Sequence, residues 1–158
     1  RKGKLALLNN QEEAEKKFDD AVQHYEKALE IAPEYAEAHN NLGNLLKDRK
    51  QYDEAIRHYE TSLKIIPDNS TTFNNLGTVH AIKGQINKAA VHFAKAVRLQ
   101  PEYFDARLNL GNSYLQQGRV DAASPELEAA LRLAKGVAWK YERARRAMAR
   151  AQQMKRSP

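Results

Sequence analysis

The heptapeptide Asn-Asn-Leu-Gly-Asn-Leu-Leu at residues 40–46 decides the fold, because it returns twice along the chain at a fixed spacing. It recurs as Asn-Asn-Leu-Gly-Thr-Val-His at residues 74–80 and as Leu-Asn-Leu-Gly-Asn-Ser-Tyr at residues 108–114. The second residue and the glycine advance by 34 residues at each step. A period of this length is typical of stacked repeats, in which each repeat buries its apolar face against its neighbours.

The unit 36–69 predicts a pair of amphipathic helices joined by a tight turn. Apolar residues at helical spacing predict a first helix from about Ala36 to Arg49, followed by a turn at Lys50-Gln51. Asp53 is expected to cap the second helix. Pro67 is expected to end it, because proline has no N–H to continue the hydrogen-bond pattern.

Two further units, 70–103 and 104–137, follow the same plan. In the last unit Pro125 is expected in the first turn of the second helix, where a missing N–H does little harm. Gly136 replaces the proline that ends the other units. The recurring small residues indicate close helix contacts, and the larger recurring residues fill the spaces between them. The small residues are Gly43, Gly77, Gly111, Ala55, Ala89 and Ala123; the large ones are Tyr59, Phe93 and Leu127.

The two ends of the chain depart from the repeat. Residues 2–35 predict a weaker first pair, with a clear second helix from Phe18 that Pro33 ends and a first helix in which Asn9 replaces glycine. Residues 138–154 predict one more helix, whose narrow apolar seam can cover the end of the stack. We therefore expect residues 1–158 to form a single all-α domain.

Charge and composition restrict the classes of function. The 158 residues carry a net charge of +6, but residues 1–131 hold 17 basic against 19 acidic residues, and residues 132–158 hold nine basic residues and Glu142 alone. Cysteine is absent, which excludes disulfides and thiolate metal sites and leaves the compartment open. The sequence shows no signal peptide and no apolar run of membrane-spanning length. Because it starts at Arg1, we expect a fragment of a longer protein.

Catalytic and cofactor chemistry has no candidate residues in this sequence. The five histidines are spread over different helices without a close metal-binding pair, and no glycine-rich phosphate loop is present. We expect no cofactor, no bound metal and no enzymatic activity.

The repeat pattern resembles that of the tetratricopeptide repeat family. The resemblance rests on Leu-Gly, an alanine twelve residues after that glycine, an aromatic residue or leucine, a small residue and a terminal proline within 34 residues. It covers almost the whole chain. The resemblance implies a right-handed superhelical solenoid of antiparallel helix pairs with a C-terminal capping helix. It also implies a concave groove that binds proteins or extended peptides.

The first helices of the family line this groove, and asparagine dominates the matching positions here. The candidate groove residues are Asn40, Asn41, Asn44, Asn74, Asn75, Thr78, Asn109 and Asn112. An amide can both donate to and accept from a peptide backbone. Such a lining is similar to the repeats of the O-linked N-acetylglucosamine transferases, in which asparagines contact the substrate backbone. Two alternatives stay open: a substrate-recruiting arm of a glycosyltransferase, or asparagines that simply hydrogen-bond between neighbouring helices.

A second family function, the carboxylate clamp for the C-termini of heat-shock proteins, needs lysine and arginine in the groove. The matching positions hold uncharged or acidic residues such as Ala6, Asp105 and Asn109, and only the clamp asparagines have counterparts, at Asn10 and Asn75. The sequence therefore argues against chaperone binding of this type.

The basic C-terminal helix offers a further hypothesis. Trp139, Arg143, Arg146 and Arg150 are spaced four, three and four residues apart and share one face. If that face continues the groove, it would hold an acidic or phosphorylated part of a ligand. The alternatives are a solvated cap with Trp139 packed on the last repeat, and a surface for nucleic acid or anionic membranes, for which the aromatic residues are few. The sequence does not indicate an oligomeric state.

Overall fold

The computed structural model describes the secondary structure of residues 2–156 and the side chains of residues 11–156. All regular structure in this range is α-helical. The chain forms two compact units: an N-terminal unit (residues 1–67) and a C-terminal unit (residues 68–158). The helices are α1 (Lys2–Ile31), α2 (Ala36–Asp48), α3 (Tyr52–Ile65), α4 (Ser70–Ile82), α5 (Ile86–Leu99), α6 (Phe104–Gln116), α7 (Val120–Leu133) and α8 (Ala138–Arg156). The predicted all-α fold of repeated helix pairs is confirmed.

The prediction of a helix pair in residues 2–35, however, is wrong: residues 2–31 form the single helix α1. Asn9 has the register of Gly43, so a second helix folded back on the first would meet a side chain where α3 meets bare backbone. Residues 12–17 are glutamate, alanine and lysine, which all favour continuation of a helix. α1 ends at Ile31, shortly before Pro33, as expected. The side chains of Leu5, Leu8 and Asn9 lie outside the described residues.

In the N-terminal unit, α2 and α3 pack closely at Gly43. A Cβ atom there would lie 2.7 Å from Cε1 of Tyr59, whose side chain is fully buried. The Tyr59 hydroxyl donates to Oδ1 of Asn44 at 2.8 Å, and Oγ of Ser62 donates to the carbonyl of Ala36 at 2.9 Å. These contacts run in opposite directions along the two helices, which are therefore antiparallel.

The C-terminal unit repeats this contact twice. A Cβ at Gly77 would lie 2.7 Å from the Phe93 ring, and one at Gly111 would lie 2.5 Å from Leu127. One core cluster joins α5 to α6 around Phe93 and Leu110, and another joins α6, α7 and α8. The packing explanation of the recurring glycines is therefore correct.

Two details of the helix ends differ from the prediction. The residue that precedes α3 is Gln51, and Asp53 is the second residue of the helix. α7 begins at Val120, so Pro125 is its sixth residue and lies in the second turn. Proline there removes the hydrogen bond that another residue would donate to the carbonyl of Asp121.

Helix α8 covers the end of the C-terminal unit. Ala144, Ala147 and Ala151 are buried and belong to the core cluster of α6 and α7. Arg145 has the register of Gly111, is exposed, and forms an ion pair with Glu142 at 3.1 Å. A second helix could not pack on α8 as α7 packs on α6, because Arg145 occupies the contact point. None of the described helices combines the length and the apolarity needed to cross a membrane.

Candidate ligand-binding groove

Asparagines of neighbouring first helices contact one another in the C-terminal unit. Nδ2 of Asn109 on α6 donates to Oδ1 of Asn74 on α4 at 3.1 Å. Asn74 is only 7% exposed, and the hydroxyl of Tyr103 also hydrogen-bonds to it. Asn74 is thus fixed between helices, as the structural alternative predicts, and it offers little surface to a ligand.

The remaining predicted groove residues fall into two groups. Asn44 accepts the hydrogen bond of the buried Tyr59 hydroxyl and therefore has a structural role in the N-terminal unit. The others are half-buried, with part of each side chain open to solvent, and they are Asn40 and Asn41 on α2, Asn75 and Thr78 on α4, and Asn112 on α6. Asn112 has no hydrogen-bonding partner among the described side chains, so its amide can serve a ligand.

The basic face of α8 has the register of the groove. Residues 139, 143, 146 and 150 stand 34 positions after Asp105, Asn109, Asn112 and Gln116. Nη1 of Arg143 lies 3.3 Å from Oδ1 of Asp105, and Arg150 faces the same cavity as Asn112 and Gln116. On α8, arginine therefore replaces the asparagines found at the same register on α6, and the spacing of 34 in the sequence already contained this signal.

A cavity of about 400 Å³ is lined mainly by α4 and α6, with Phe93 of α5 and Arg150 of α8 at its border. Its apolar side comes from Ala81, Ile82 and Phe93, and Ile82 is 51% exposed. Its polar side consists of Thr78, Asn109, Asn112, Ser113, Gln116 and Arg150. We define this cavity, together with the exposed face of α8 that carries Trp139, Arg143 and Arg146, as the groove of the C-terminal unit.

Trp139 lies beside Phe104 at the end of α8. The two rings meet edge to face with their centroids 6.3 Å apart, yet Trp139 remains 56% exposed. The guanidinium of Arg143 lies 5.7 Å and the ammonium of Lys140 5.6 Å from the indole ring. The side chain thus packs on the last repeat and still presents an aromatic face bordered by two cations.

The sequence failed to predict a set of contacts that we call the cross-helix pairs. His39 and His58 contact through their Nδ1 atoms at 2.9 Å, and Nε2 of His39 lies 3.0 Å from the carbonyl of Pro33. At the same register, Phe73 stacks on His92. In α6 and α7 the pair is Arg107 and Glu126, at 2.7 Å, and Nε of Arg107 donates to the carbonyl of Pro101. The five histidines lie on five different helices, as expected, but His39 contacts His58 and His80 stacks on His92.

Burial lowers the pKa of two histidines in these pairs. For His92 it brings the pKa to about 4, and the charges of His80, whose ring stacks at 5.2 Å, and of Lys88 act in the same direction. For His58 burial also lowers the pKa, followed by the effects of His39 and Arg57. Both rings are neutral near neutral pH. No group of three or more metal-binding side chains occurs among the described residues.

Two of the residues at the positions of a carboxylate clamp, Asp105 and Asn109, are bonded to other side chains of this chain. Asp105 is acidic and its carboxylate pairs with Arg143. Asn109 is committed to Asn74. The side chains of Ala6 and Asn10 lie outside the described residues.

Sequence profiles identify the family to which these repeats belong. Two profiles described as tetratricopeptide repeat match residues 34–102 and 81–152, and one described as TPR repeat matches residues 10–48. The chain belongs to the tetratricopeptide repeat family. No curated protein is significantly similar to it in sequence.

Solved structures of similar fold include three examples. MamA superposes with a TM-score of 0.73 at 19% identity, over 92% of this chain and 93% of that chain. The first TPR domain of Spaghetti, bound to an HSP90 peptide, gives 0.72 at 21% identity, over 77% and 94%. YrrB, described as a TPR protein with an unusual peptide-binding site, gives 0.71 at 26% identity, over 92% and 78%. At these identities the first two support the fold alone.

Proposed function

We propose that this chain is a non-catalytic protein-interaction scaffold and that the groove of the C-terminal unit binds an extended peptide segment of a partner protein. The observation that carries the proposal is the cavity lined by α4, α6 and Arg150 of α8, which combines an apolar side with the half-buried amide of Asn112 and the guanidinium of Arg150. An amide suits a peptide backbone, and the apolar side suits one side chain. The Spaghetti domain is bound to an HSP90 peptide and YrrB is described as having an unusual peptide-binding site, which supports a ligand of this kind.

The cationic end gives the proposed ligand a direction. Arg150 lies in the same cavity as the amides, and Arg143, Arg146 and the exposed Trp139 share its register on α8. We propose that an acidic or phosphorylated stretch of the peptide lies along α8, with its neutral part between α4 and α6. Charge-assisted hydrogen bonds from arginine would hold it there.

The test uses a peptide array to find a binding sequence and titration calorimetry to measure its affinity. We expect Arg150→Glu to weaken binding about tenfold and to reduce its dependence on salt, because an attraction becomes a repulsion. We expect Asn112→Ala to weaken binding about threefold or more through the loss of amide contacts. Arg98→Glu, at an exposed position on α5, is the control and should leave the affinity unchanged.

Asn109→Ala is a poor probe of the groove, since it also breaks the hydrogen bond to Asn74. An affinity that neither Arg150→Glu nor Asn112→Ala changes would place the ligand elsewhere. The glycosyltransferase-arm alternative uses the same groove and requires a catalytic domain in the full-length protein. Binding of nucleic acid or anionic vesicles through α8 is less favoured, because Arg145 and Lys155, which lie outside the groove face, already pair with Glu142 and Asp121.

A further inference from the structure

The junction of α7 and α8 contains a cavity that the groove does not include. Its volume is about 650 Å³, and we call it the junction socket. Its lining residues are Leu131, Arg132, Lys135, Gly136, Val137, Ala138 and Tyr141. None of them lines the groove.

The socket exists because the chain departs from its own repeat at this junction. One repeat earlier, Tyr103 is half-buried and Phe104 is 4% exposed. The same positions here carry Val137 and Ala138, which have much smaller side chains. Gly136, with a φ of 84°, turns the chain in the left-handed conformation in place of the usual proline ending. The junction therefore lacks the side-chain volume that fills its counterpart.

Apolar surface is concentrated around this socket. Val137 is 37% and Tyr141 is 47% exposed, and they lie one helical turn apart, with the amide of Tyr141 bonded to the carbonyl of Val137 at 3.0 Å. Leu131 contributes from α7. Exposed apolar side chains grouped around a cavity indicate a binding site more often than single ones do.

The charges at the rim indicate the chemistry of the occupant. Arg132 and Lys135 are exposed, and within residues 11–156 neither of them forms an ion pair. The socket has no acidic lining residue. Two unpaired cations beside an apolar cavity complement a large apolar side chain with carboxylates next to it in the sequence.

We infer that the junction socket is a second docking site, which takes an acidic peptide segment of a partner protein anchored by a large apolar side chain. The anchor lies against Leu131, Val137 and Tyr141, and the flanking carboxylates pair with Arg132 and Lys135. Such an anchor and its charged neighbours are the usual composition of a small binding hot spot. A partner that reaches both sites would gain affinity from two linked contacts.

The experiment uses the full chain and the fluorescein-labelled peptide Ser-Asp-Glu-Phe-Leu-Asp-Glu-Ser, with binding followed by fluorescence polarisation. We expect saturable binding that weakens about tenfold when Phe-Leu is replaced by Ala-Ala, because the apolar contact is lost. Tyr141→Ala and Arg132→Glu should each weaken binding about tenfold. Lys135→Glu tests the charge without touching the packing of α8 if Tyr141→Ala unfolds the chain.

The matched control is Arg98→Glu, because Arg98 on α5 has the register of Arg132 on α7 and is also exposed. It should change the affinity by no more than about twofold. Arg150→Glu, which disrupts the groove, should leave this peptide bound, so that failure of the groove and failure of the socket can be told apart.

Several results would overturn the inference. One is the absence of saturable binding by the peptide, and another is a loss of binding in Arg150→Glu with none in Tyr141→Ala. A concentration-dependent dimer in sedimentation that Tyr141→Ala abolishes would assign the socket to a second copy of the chain. Binding to anionic phosphatidylserine vesicles that Arg132→Glu abolishes, without peptide binding, would assign it to a membrane surface.

Discussion

Three glycines mark the points at which the two helices of a repeat touch. Gly43, Gly77 and Gly111 each face a large buried side chain at a distance that leaves no room for a methyl group. Glycine normally weakens a helix interior by about 1 kcal/mol relative to alanine. At these three positions we expect the close packing of Tyr59, Phe93 or Leu127 against the glycine to outweigh that cost.

Substitution of Gly77 by alanine should therefore destabilise the chain despite the better helix propensity of alanine. The new Cβ would lie 2.7 Å from the Phe93 ring and 3.2 Å from the carbonyl of Ala89, so the helices must separate. We expect a loss of about 1–3 kcal/mol in the free energy of unfolding, measured by urea denaturation. Arg98→Ala, an exposed change in the facing helix α5, is the control. A stabilised Gly77→Ala would mean that the Phe93 ring is free to move.

A second residue-scale prediction concerns His92 and pH. Its pKa of about 4 in the folded chain is below the usual 6.5, so the unfolded chain binds a proton first as the pH falls. Stability should be complete above about pH 6.5 and should fall towards pH 4, by about 1–2 kcal/mol since the ring is partly solvated. Urea denaturation at several pH values measures the slope. His92→Gln should reduce it, whereas His24→Gln, on the exposed part of α1, should not.

The helix pairs show which features of an element the sequence contains. Apolar periodicity and the turn residues predicted α2 to α7 to within a few residues. Periodicity does not show which positions of two antiparallel helices face each other. The His39–His58 and Arg107–Glu126 pairs were therefore not predicted. The predicted turn within residues 2–35 was wrong for a related reason. Apolar residues at helical spacing fit two helices joined by a turn and one continuous helix equally well.

The cross-helix pairs should be interchangeable between repeats. Arg107→Phe leaves the Glu126 carboxylate, only 19% exposed, without its cation, and we expect a loss of about 1–3 kcal/mol. Adding Glu126→His recreates the Phe73–His92 pair in α6 and α7 and should recover part of this loss. Urea denaturation of the two single variants and the double variant measures the coupling.

The exposed ion pair of Lys17 and Glu13 is the control for the double-mutant cycle of Arg107 and Glu126. Both side chains are more than half exposed, so Lys17→Ala should change stability by less than about 0.5 kcal/mol. A double variant no more stable than Arg107→Phe alone would show that the pairs depend on their own repeat.

At the scale of the whole molecule, the two ends of the chain have different roles. The N-terminal unit begins with the 30-residue helix α1, and the C-terminal unit ends with α8, which joins its core. The sequence predicted that α8 caps the stack and that its arginines lie on one face of the helix. It did not predict which asparagines are committed to other side chains, because that depends on distances between helices.

Removal of residues 138–158 should expose the core cluster of α6 and α7, including Phe104 and Leu108. We expect the shortened chain to unfold at a lower temperature and to bind the dye ANS, as exposed apolar surface does. Arg146→Glu, an exposed change on α8, is the control for its charge. A shortened chain with an unchanged transition would show that α8 adds nothing to the core.

The intrinsic fluorescence of Trp139 can report ligand binding in the groove without an added label. It is the single tryptophan of the chain and lies 56% exposed at the N-terminal end of α8. Indole emission shifts to shorter wavelength when water leaves the ring, and a neighbouring carboxylate or phosphate changes its intensity. Selective excitation of this fluorophore therefore gives an optical signal for occupancy of one defined position. The same signal followed in stopped flow yields the rates of arrival and departure of any ligand that passes over α8.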